Sequence, residues 1–352
     1  MSKRPSHEQP YLTGEPVVEV TRGDAVESIH HVAACAMDDR AEVTFALGAI
    51  DVPVFLRSAA KPFIAAAAVR AGVVERFGLE PRELAVMAAS HTGQAFHVEA
   101  VRSILRKIGL DESALQCGAH APYNAAAAAE LAAAGIAPTA IHNNCSGKHA
   151  GILALCKAIG ADPQTYMELH NAAEQQILEL CARLSGERAA QMPIGVDGCG
   201  IPVYATPLRN AALSFMRFAT LQVEDPRDAR ALSAVRDAMI AHPEYVSGTG
   251  EFDTRLMQAG GGTLACKSGA EGVHGLAALA ARAGLAVKVL DGASRARGPA
   301  VITLLGNLGL TARRVLTDMA DFERPIVYNR AGRAVGEIRA AGTIAVEKAS
   351  TN

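Results

Sequence analysis

The chain reads as strands, then helices, then strands, and that order points to a fold whose two ends share one sheet. Residues 17–20, 29–37 and 43–47 are short β runs, broken by a Thr21-Arg22-Gly23-Asp24 turn and by Asp38-Asp39, the pattern of an antiparallel meander. Residues 61–71, 98–108, 125–134, 148–159 and 165–184 are dominated by helix formers. Gly72, Gly109, Gly135, Gly160 and Gly186 stand at or just past their ends as C-cap signals. The alanine run at 125–130 reads as a tightly packed helix. Residues 195–204 form a Gly- and Pro-rich turn in a strand-like context, with helices expected over 207–219 and 226–241. Strands are expected over 263–267, 272–279 and 286–290, then a helix over 299–310 and a hairpin around Asn329-Arg330-Ala331-Gly332. The expected fold class is α/β (α+β): a central antiparallel sheet built from both chain ends, with a helical lobe over about 55–260 inserted between them. No Pro- or Ser-rich linker and no internal repeat interrupts the 352 residues, so one domain over 1–352 is expected, with 1–10 as a flexible start.

Charge and cysteine usage narrow the function. Thirty-four Lys and Arg against 36 Asp and Glu give a net charge of −2, which leaves no basic excess for a nucleic-acid backbone. Aromatics are 4% and Trp is absent, which disfavours a base-stacking surface. The polar N-terminus holds no secretory core, and no run of eighteen apolar residues suggests a membrane span, so a cytoplasmic protein is expected. Seven cysteines, an odd number, then read as reduced thiols.

Common cofactor motifs fail on single residues. Gly198-Cys199-Gly200 needs Gly at 203 and has Val203; Gly248-Thr249-Gly250 needs Gly at 253 and has Asp253. Gly147-Lys148 needs Gly at 142 for a phosphate loop and has His142. No GxSxG and no HExxH occur.

Other signals survive. Ser58-Ala-Ala-Lys61 places a hydroxyl and an amine three residues apart at a helix start, within reach for proton transfer. A serine just before a helix is equally an ordinary cap. Lys267-Ser268-Gly269 opens the late strand block, where a lysine supplies a cation and the strand backbone supplies donors for an oxyanion. The plain alternative is a strand-edge lysine beside a turn glycine. Between them lie Ser90-His91-Thr92-Gly93, the 143–149 segment NNCSGKH and the 195–202 turn GVDGCGIP, three polar clusters that read as loops converging on a cleft. Cys156 and Cys181 sit among Leu, Ile and Ala and read as core filler.

The strings LRSAAKPF, ASHTGQ, NNCSGKHAG, GVDGCGIP and CKSGAEGV, in this order, resemble the rhizobial-type (class 3) L-asparaginase family, over nearly the whole chain from about residue 17. The resemblance implies a fold similar to serine β-lactamases and serine-type glutaminases, hydrolysis of L-asparagine to L-aspartate and ammonia, a homodimer, and a Zn2+ ion in the active site. Residue by residue, it places a nucleophile–lysine tandem on Ser58 and Lys61 and a second Ser–Lys tandem on Ser90 and Lys267. It places zinc ligands on Cys145, Lys148 and Cys199, and further active-site positions on Arg57, His91, His149 and Asp197, with Asp197 the carboxylate suited to a substrate α-ammonium. A lysine base must be neutral to act, so activity is expected to rise on the alkaline side. Two alternatives stay open: another SxxK amidohydrolase, either a glutaminase or a β-lactam-interacting enzyme, and a non-catalytic zinc-bound amino-acid sensor.

Overall fold

In the computed structural model, residues 12–341 are described; the start expected over 1–10 lies outside them. The strands are β1 (Glu15–Arg22), β2 (Ala25–Met37), β3 (Val43–Leu47), β4 (Pro53–Phe55), β5 (Ile194–Val196), β6 (Pro202–Pro207), β7 (Leu264–Ser268), β8 (Val273–Ala278), β9 (Ala283–Val289), β10 (Ile326–Tyr328) and β11 (Ala334–Ala340). The main sheet runs β10-β11-β1-β2-β9-β8-β7, with β3 also on β2, and its pairings are antiparallel. Strands from both ends of the described chain therefore share one sheet, and the helical residues between Arg57 and Gly260 form the lobe beside it. A smaller sheet, β4-β6-β5, lies outside the main one.

The long strand β2 makes this branching possible. β1 pairs with it over Ala25 to Val32, and β3 takes over at Ala34 to Met37, while β9 runs along Val32 to Met37. β8 is buried along its whole length and β9 nearly so, which explains their unbroken apolar spelling: such strands are covered on both faces. Helix Leu208–Thr220 packs on the sheet so closely that a Cβ on Gly284 would lie 2.1 Å from the Ala212 carbonyl oxygen.

Helix Lys61–Arg70 buries every residue from Lys61 to Ala68. A helix apolar all round belongs inside a protein, and its four consecutive alanines let neighbours approach from every side. Phe63 meets Phe215 at 5.1 Å and Phe218 at 5.8 Å between ring centroids, anchoring this helix to the one beneath the sheet.

Most expected elements are found, with four differences. β1 extends to Arg22 and pairs with Ala25, so the first turn shrinks to Gly23-Asp24. The helix expected from 165 starts at Ala172, because the Asn171 side chain caps it by accepting from the Ala173 N–H at 2.9 Å. The helix expected from 299 starts at Ser294, with Pro299 inside it. Helix Ala125–Ala133 buries none of its residues, so the tight packing expected of the alanine run is absent; alanine propensity and the Asn124 side-chain cap account for its helicity. Gly109, Gly135, Gly160 and Gly186 all adopt the left-handed conformation that ends a helix.

Replacing Gly284 by Ala puts a methyl group against helix backbone rather than a yielding side chain, and overpacking of this kind costs about 1–3 kcal/mol. We expect Gly284→Ala to lower the chemical-denaturation midpoint at unchanged slope. An unchanged midpoint would show that the helix moves aside freely.

Candidate active site

The site begins with a lysine that has no access to water. Lys61, Lys148 and Lys267 are all within 1% of full burial. A buried ammonium is costly unless partners surround it, so each amine must be surrounded by polar groups or give up its proton. Lys61 Nζ donates to the Ala89 carbonyl at 2.6 Å, and lies 2.9 Å from Ser90 Oγ and 3.2 Å from Cys145 Sγ. Burial pulls its pKa below that of an ordinary lysine, and the Lys148 charge adds to this against the pull of the Cys145 thiolate.

Ser58 belongs to the short turn Arg57–Ala60, and Ala60, not Ser58, is the N-cap of helix Lys61–Arg70. The capping role is thus gone, and among the described residues no hydrogen bond engages the Ser58 hydroxyl. The structure brings Lys61 to Ser90 rather than to Ser58, and it does not bond Lys267 to Ser90. Lys267 Nζ donates to the Ser268 carbonyl at 2.8 Å and faces Asp253 Oδ2 at 3.6 Å.

The two amides after Lys267, candidates for oxyanion donors, are both engaged. Ser268 N–H donates to Asp253 at 2.7 Å and Gly269 N–H to the Val273 carbonyl at 2.8 Å. Gly269 has another reason to be glycine: a Cβ there would stand 2.6 Å from the Leu56 carbonyl oxygen and 3.3 Å from Ala59 N. The Lys-Ser-Gly strand end therefore packs directly against the turn that carries Ser58.

Cys145, Lys148 and Cys199 converge from two elements. Cys145 is the N-cap of helix Ser146–Ile159, its N–H held by the Asn143 side chain at 2.8 Å, while Asn143 in turn donates to Cys117 O at 2.9 Å. A Cβ at Gly147 would come within 2.1 Å of the Val86 carbonyl, so only glycine lets this helix start so close to helix Pro81–Met87. Cys199 sits on the tight turn between β5 and β6, closed by Gly200 N–H to Asp197 O at 2.9 Å. Lys148 Nζ donates to Cys199 Sγ at 2.9 Å. The Cys199 thiol donates to Cys145 and, with Lys148 and Lys61 nearby, holds the Cys145 thiol well below its usual range; the same hydrogen bond pushes Cys199 up. Two sulfurs, one of them already favoured as thiolate, beside a lysine that gives up its proton to bind, are a donor set that fits zinc.

Arg57 Nε donates to Asp197 Oδ1 at 2.8 Å, and the Gly198 N–H donates to the same oxygen at 2.8 Å. Burial alone would raise Asp197, but Lys148, the Gly198 amide and Arg57 outweigh it and hold the carboxyl below its ordinary value. Arg57 has φ 52°, a left-handed conformation uncommon for a side chain of this size. His91 and His149, expected at the substrate, are both buried and bonded to neighbouring segments. His91 accepts the Gly93 N–H on Nδ1 at 3.1 Å and bonds Ser146 Oγ through Nε2 at 2.8 Å, which ties the Ser90 segment to the Cys145 helix. His149 Nδ1 bonds the Tyr166 hydroxyl at 2.7 Å, and its Nε2 is buried without a partner. Burial lowers both rings well below the usual histidine range, so both are neutral.

Asn143 and Asp253 are missing from the sequence-derived set. Asn143 lay inside a quoted motif; Asp253 had no signal beyond its place after Gly248-Thr249-Gly250. All seven cysteines are free and buried, and burial pushes Cys156 and Cys181 up to about 12, as befits core filler.

The model of the family described as L-asparaginase II matches residues 18–340. The chain belongs to the L-asparaginase II family. The resemblance drawn from the five motifs agrees with this membership. A comparison with curated proteins found no match. Among solved structures, the chain is similar to Mglu in its glutamate form, with 16% identity, 80% of this chain and 61% of that chain covered, and a TM-score of 0.43. It is also similar to Mglu in its native form, with 15% identity, 83% and 63% covered, and a TM-score of 0.39. The chain spans about three fifths of the length of these neighbours. Among the described residues, no helix is long and apolar enough to cross a membrane.

Burial lowers Lys267 to about 8, with Asp253 opposing the fall. A step that uses the Lys267 ammonium is complete below that pH and is lost as pH rises through it. Initial amide-hydrolysis rates are therefore expected to fall with an apparent pKa near 8. A profile still rising at pH 9.5 would remove the charged form of Lys267 from the mechanism.

Proposed function

We propose that the protein is an L-asparaginase that hydrolyses L-asparagine to L-aspartate and ammonia through an acyl-enzyme on Ser58. The observation that carries this reading is the set of contacts around Lys61: one water-excluded amine within hydrogen-bond range of Ser90 and Cys145, a turn away from an unengaged Ser58 hydroxyl. As a free amine, Lys61 has two N–H groups for Ala89 O and Cys145 Sγ and one lone pair to take a proton from a serine.

Ser58 Oγ attacks the side-chain amide carbon, and its proton passes to Lys61. The C–N bond then breaks, and the departing nitrogen takes a proton from the Lys267 ammonium, leaving as ammonia. Water attacks the ester carbon, its proton is taken by the amine left on Lys267, and the C–O bond to Ser58 breaks as Lys61 returns the hydroxyl proton. The Arg57–Asp197 pair supplies a cation for the substrate α-carboxylate and an anion for its α-ammonium. Cys145, Lys148 and Cys199 are the residues that would hold Zn2+, which when bound supplies a fixed positive charge beside the substrate. The rise in rate expected of a lysine base ends where Lys267 loses its proton. We take the active form as a homodimer in a reducing, cytoplasmic setting; seven free thiols accord with that setting.

A second reading gives the nucleophile role to Ser90, because its hydroxyl is the one within 2.9 Å of Lys61. Ammonia release from asparagine and glutamine, with nitrocefin turnover alongside, separates asparaginase from glutaminase, β-lactam-interacting enzyme and amino-acid sensor. Ser58→Ala is expected to abolish ammonia release and the ester adduct seen by intact-protein mass spectrometry. An adduct that persists in Ser58→Ala and vanishes in Ser90→Ala transfers the role to Ser90.

Cys145→Ser and Cys199→Ser should each lose bound zinc, since a neutral hydroxyl replaces a thiolate poorly. Elemental analysis is expected to find one zinc per wild-type chain and almost none in either variant, with both still folded. Full zinc content in one variant removes that cysteine from the ligand set.

A further inference from the structure

Asp253, the residue that breaks the dinucleotide fingerprint, is 1% exposed and lies in the first turn of helix Phe252–Gly260. Four groups from the Lys-Ser-Gly strand end and its neighbour converge on its carboxylate. Ser268 donates its N–H to Oδ2 at 2.7 Å and its hydroxyl to Oδ1 at 2.5 Å. Lys267 Nζ is 3.6 Å from Oδ2, and His274 Nδ1 on the paired strand β8 is 3.7 Å from Oδ1. A negative charge is also favoured at a helix N-terminus. Burial would raise Asp253, but the Lys267 and Arg297 charges and the Ser268 hydrogen bond outweigh it and bring it down to about 2, so it is ionised. His274 falls to about 4, chiefly by burial, and is neutral.

Asp253, Cys266 and His274 have ligand atoms within 4.8 Å of one another, the spacing of a metal site. The charges argue otherwise. Lys267 and Arg297 already balance the carboxylate, and burial holds the Cys266 thiol well above its ordinary value, so it stays protonated. A divalent cation there would meet excess positive charge.

We propose that Asp253 is a positioning residue for amide hydrolysis: it keeps Lys267 as an ammonium and locks Ser268 and Gly269 in register against the turn that carries Ser58. This rests on the function proposed above. The groups facing Lys267 are Asp253 on helix Phe252–Gly260, Lys61 on helix Lys61–Arg70, Arg297 on helix Ser294–Asn307, Cys266 on its own strand and His274 on β8. Asp253 is the only ionised anion in that set; the others are cations or neutral. Its removal therefore lowers the Lys267 pKa, by about 1–3 units for an opposite charge at this range.

The test is Asp253→Asn, which keeps size and an acceptor for Ser268 but removes the charge. A two-unit fall from about 8 leaves roughly a tenth of Lys267 charged at pH 7, so kcat should drop about tenfold with KM changing less than about threefold. The alkaline limb of the rate profile should move down by the same two units. In the Lys267→Met background, Asp253→Asn should add almost nothing, because the group it positions is already gone. Lysine side-chain NMR follows the Lys267 titration without any substrate, so the proposal is tested even if wild type releases no ammonia, an outcome that would sink the asparaginase reading alone. If Asp253→Asn does not fold, Asp253→Glu moves the carboxylate by one methylene, and a shifted Lys267 midpoint with lowered kcat is expected there too. A Lys267 midpoint and alkaline limb both unmoved in the folded variant, with only a lower unfolding midpoint, would overturn the proposal.

Discussion

Burial of the Lys61 amine sets the terms for everything near it. A lysine without water has to find acceptors or lose its proton, and its acceptors come from two separate elements: the segment that follows helix Pro81–Met87, which supplies Ala89 O and Ser90 Oγ, and the N-terminus of helix Ser146–Ile159, which supplies Cys145 Sγ. Each must be placed to within a few tenths of an ångström for the amine to be satisfied. Gly147 lets the second approach the first, and His91 ties them through its Nε2 to Ser146 and its backbone N–H to the Asn144 carbonyl. His91 is a brace that holds the amine's surroundings rigid: a neutral ring bonded through both nitrogens rather than a further charge.

Cations and anions alternate through this buried region. The Cys145 thiolate lies between Lys61 and Lys148; Asp197 joins Lys148 to Arg57; Asp253 joins Lys267 to Arg297. Lys148, flanked by sulfur and carboxylate, is raised, while Lys61 and Lys267 are lowered, first by burial and then by another cation close by. Residues of one type thus take opposite protonation tendencies within one cluster, the arrangement that lets an amine base and an ammonium acid operate at the same pH.

The sheet from both ends and the helical middle were legible because they depend on local information: alternating apolar runs, helix formers, and glycines whose left-handed conformation ends helices. The ends of elements were less so. Asn171 capping a helix start and β1 continuing through Arg22 depend on single side-chain bonds and on strand pairing. Helix Ala125–Ala133 shows the limit of composition: alanine reports that a helix forms, not that anything packs on it. Site residues on quoted motifs were brought together in space, but their pairing was not readable from spacing. Ser58 and Lys61 are three apart, yet the long lysine side chain turns from the short turn toward Ser90, twenty-nine residues on.

Asp253 was illegible for a related reason. A catalytic motif announces residues that touch substrate, whereas a residue that acts through another can come from any element that reaches the same spot. Here helix Phe252–Gly260 packs beside β7 and delivers one carboxylate to the strand's last two residues. By taking the Ser268 amide, it also removes one oxyanion donor that the strand was expected to offer. An oxyanion in this cleft then has to be met by other donors. The Lys267 ammonium and the Arg57 guanidinium of the Ser58 turn each face a carboxylate partner. In the proposed mechanism the Lys267 ammonium, held by Asp253, takes the place of that backbone amide in meeting the developing charge.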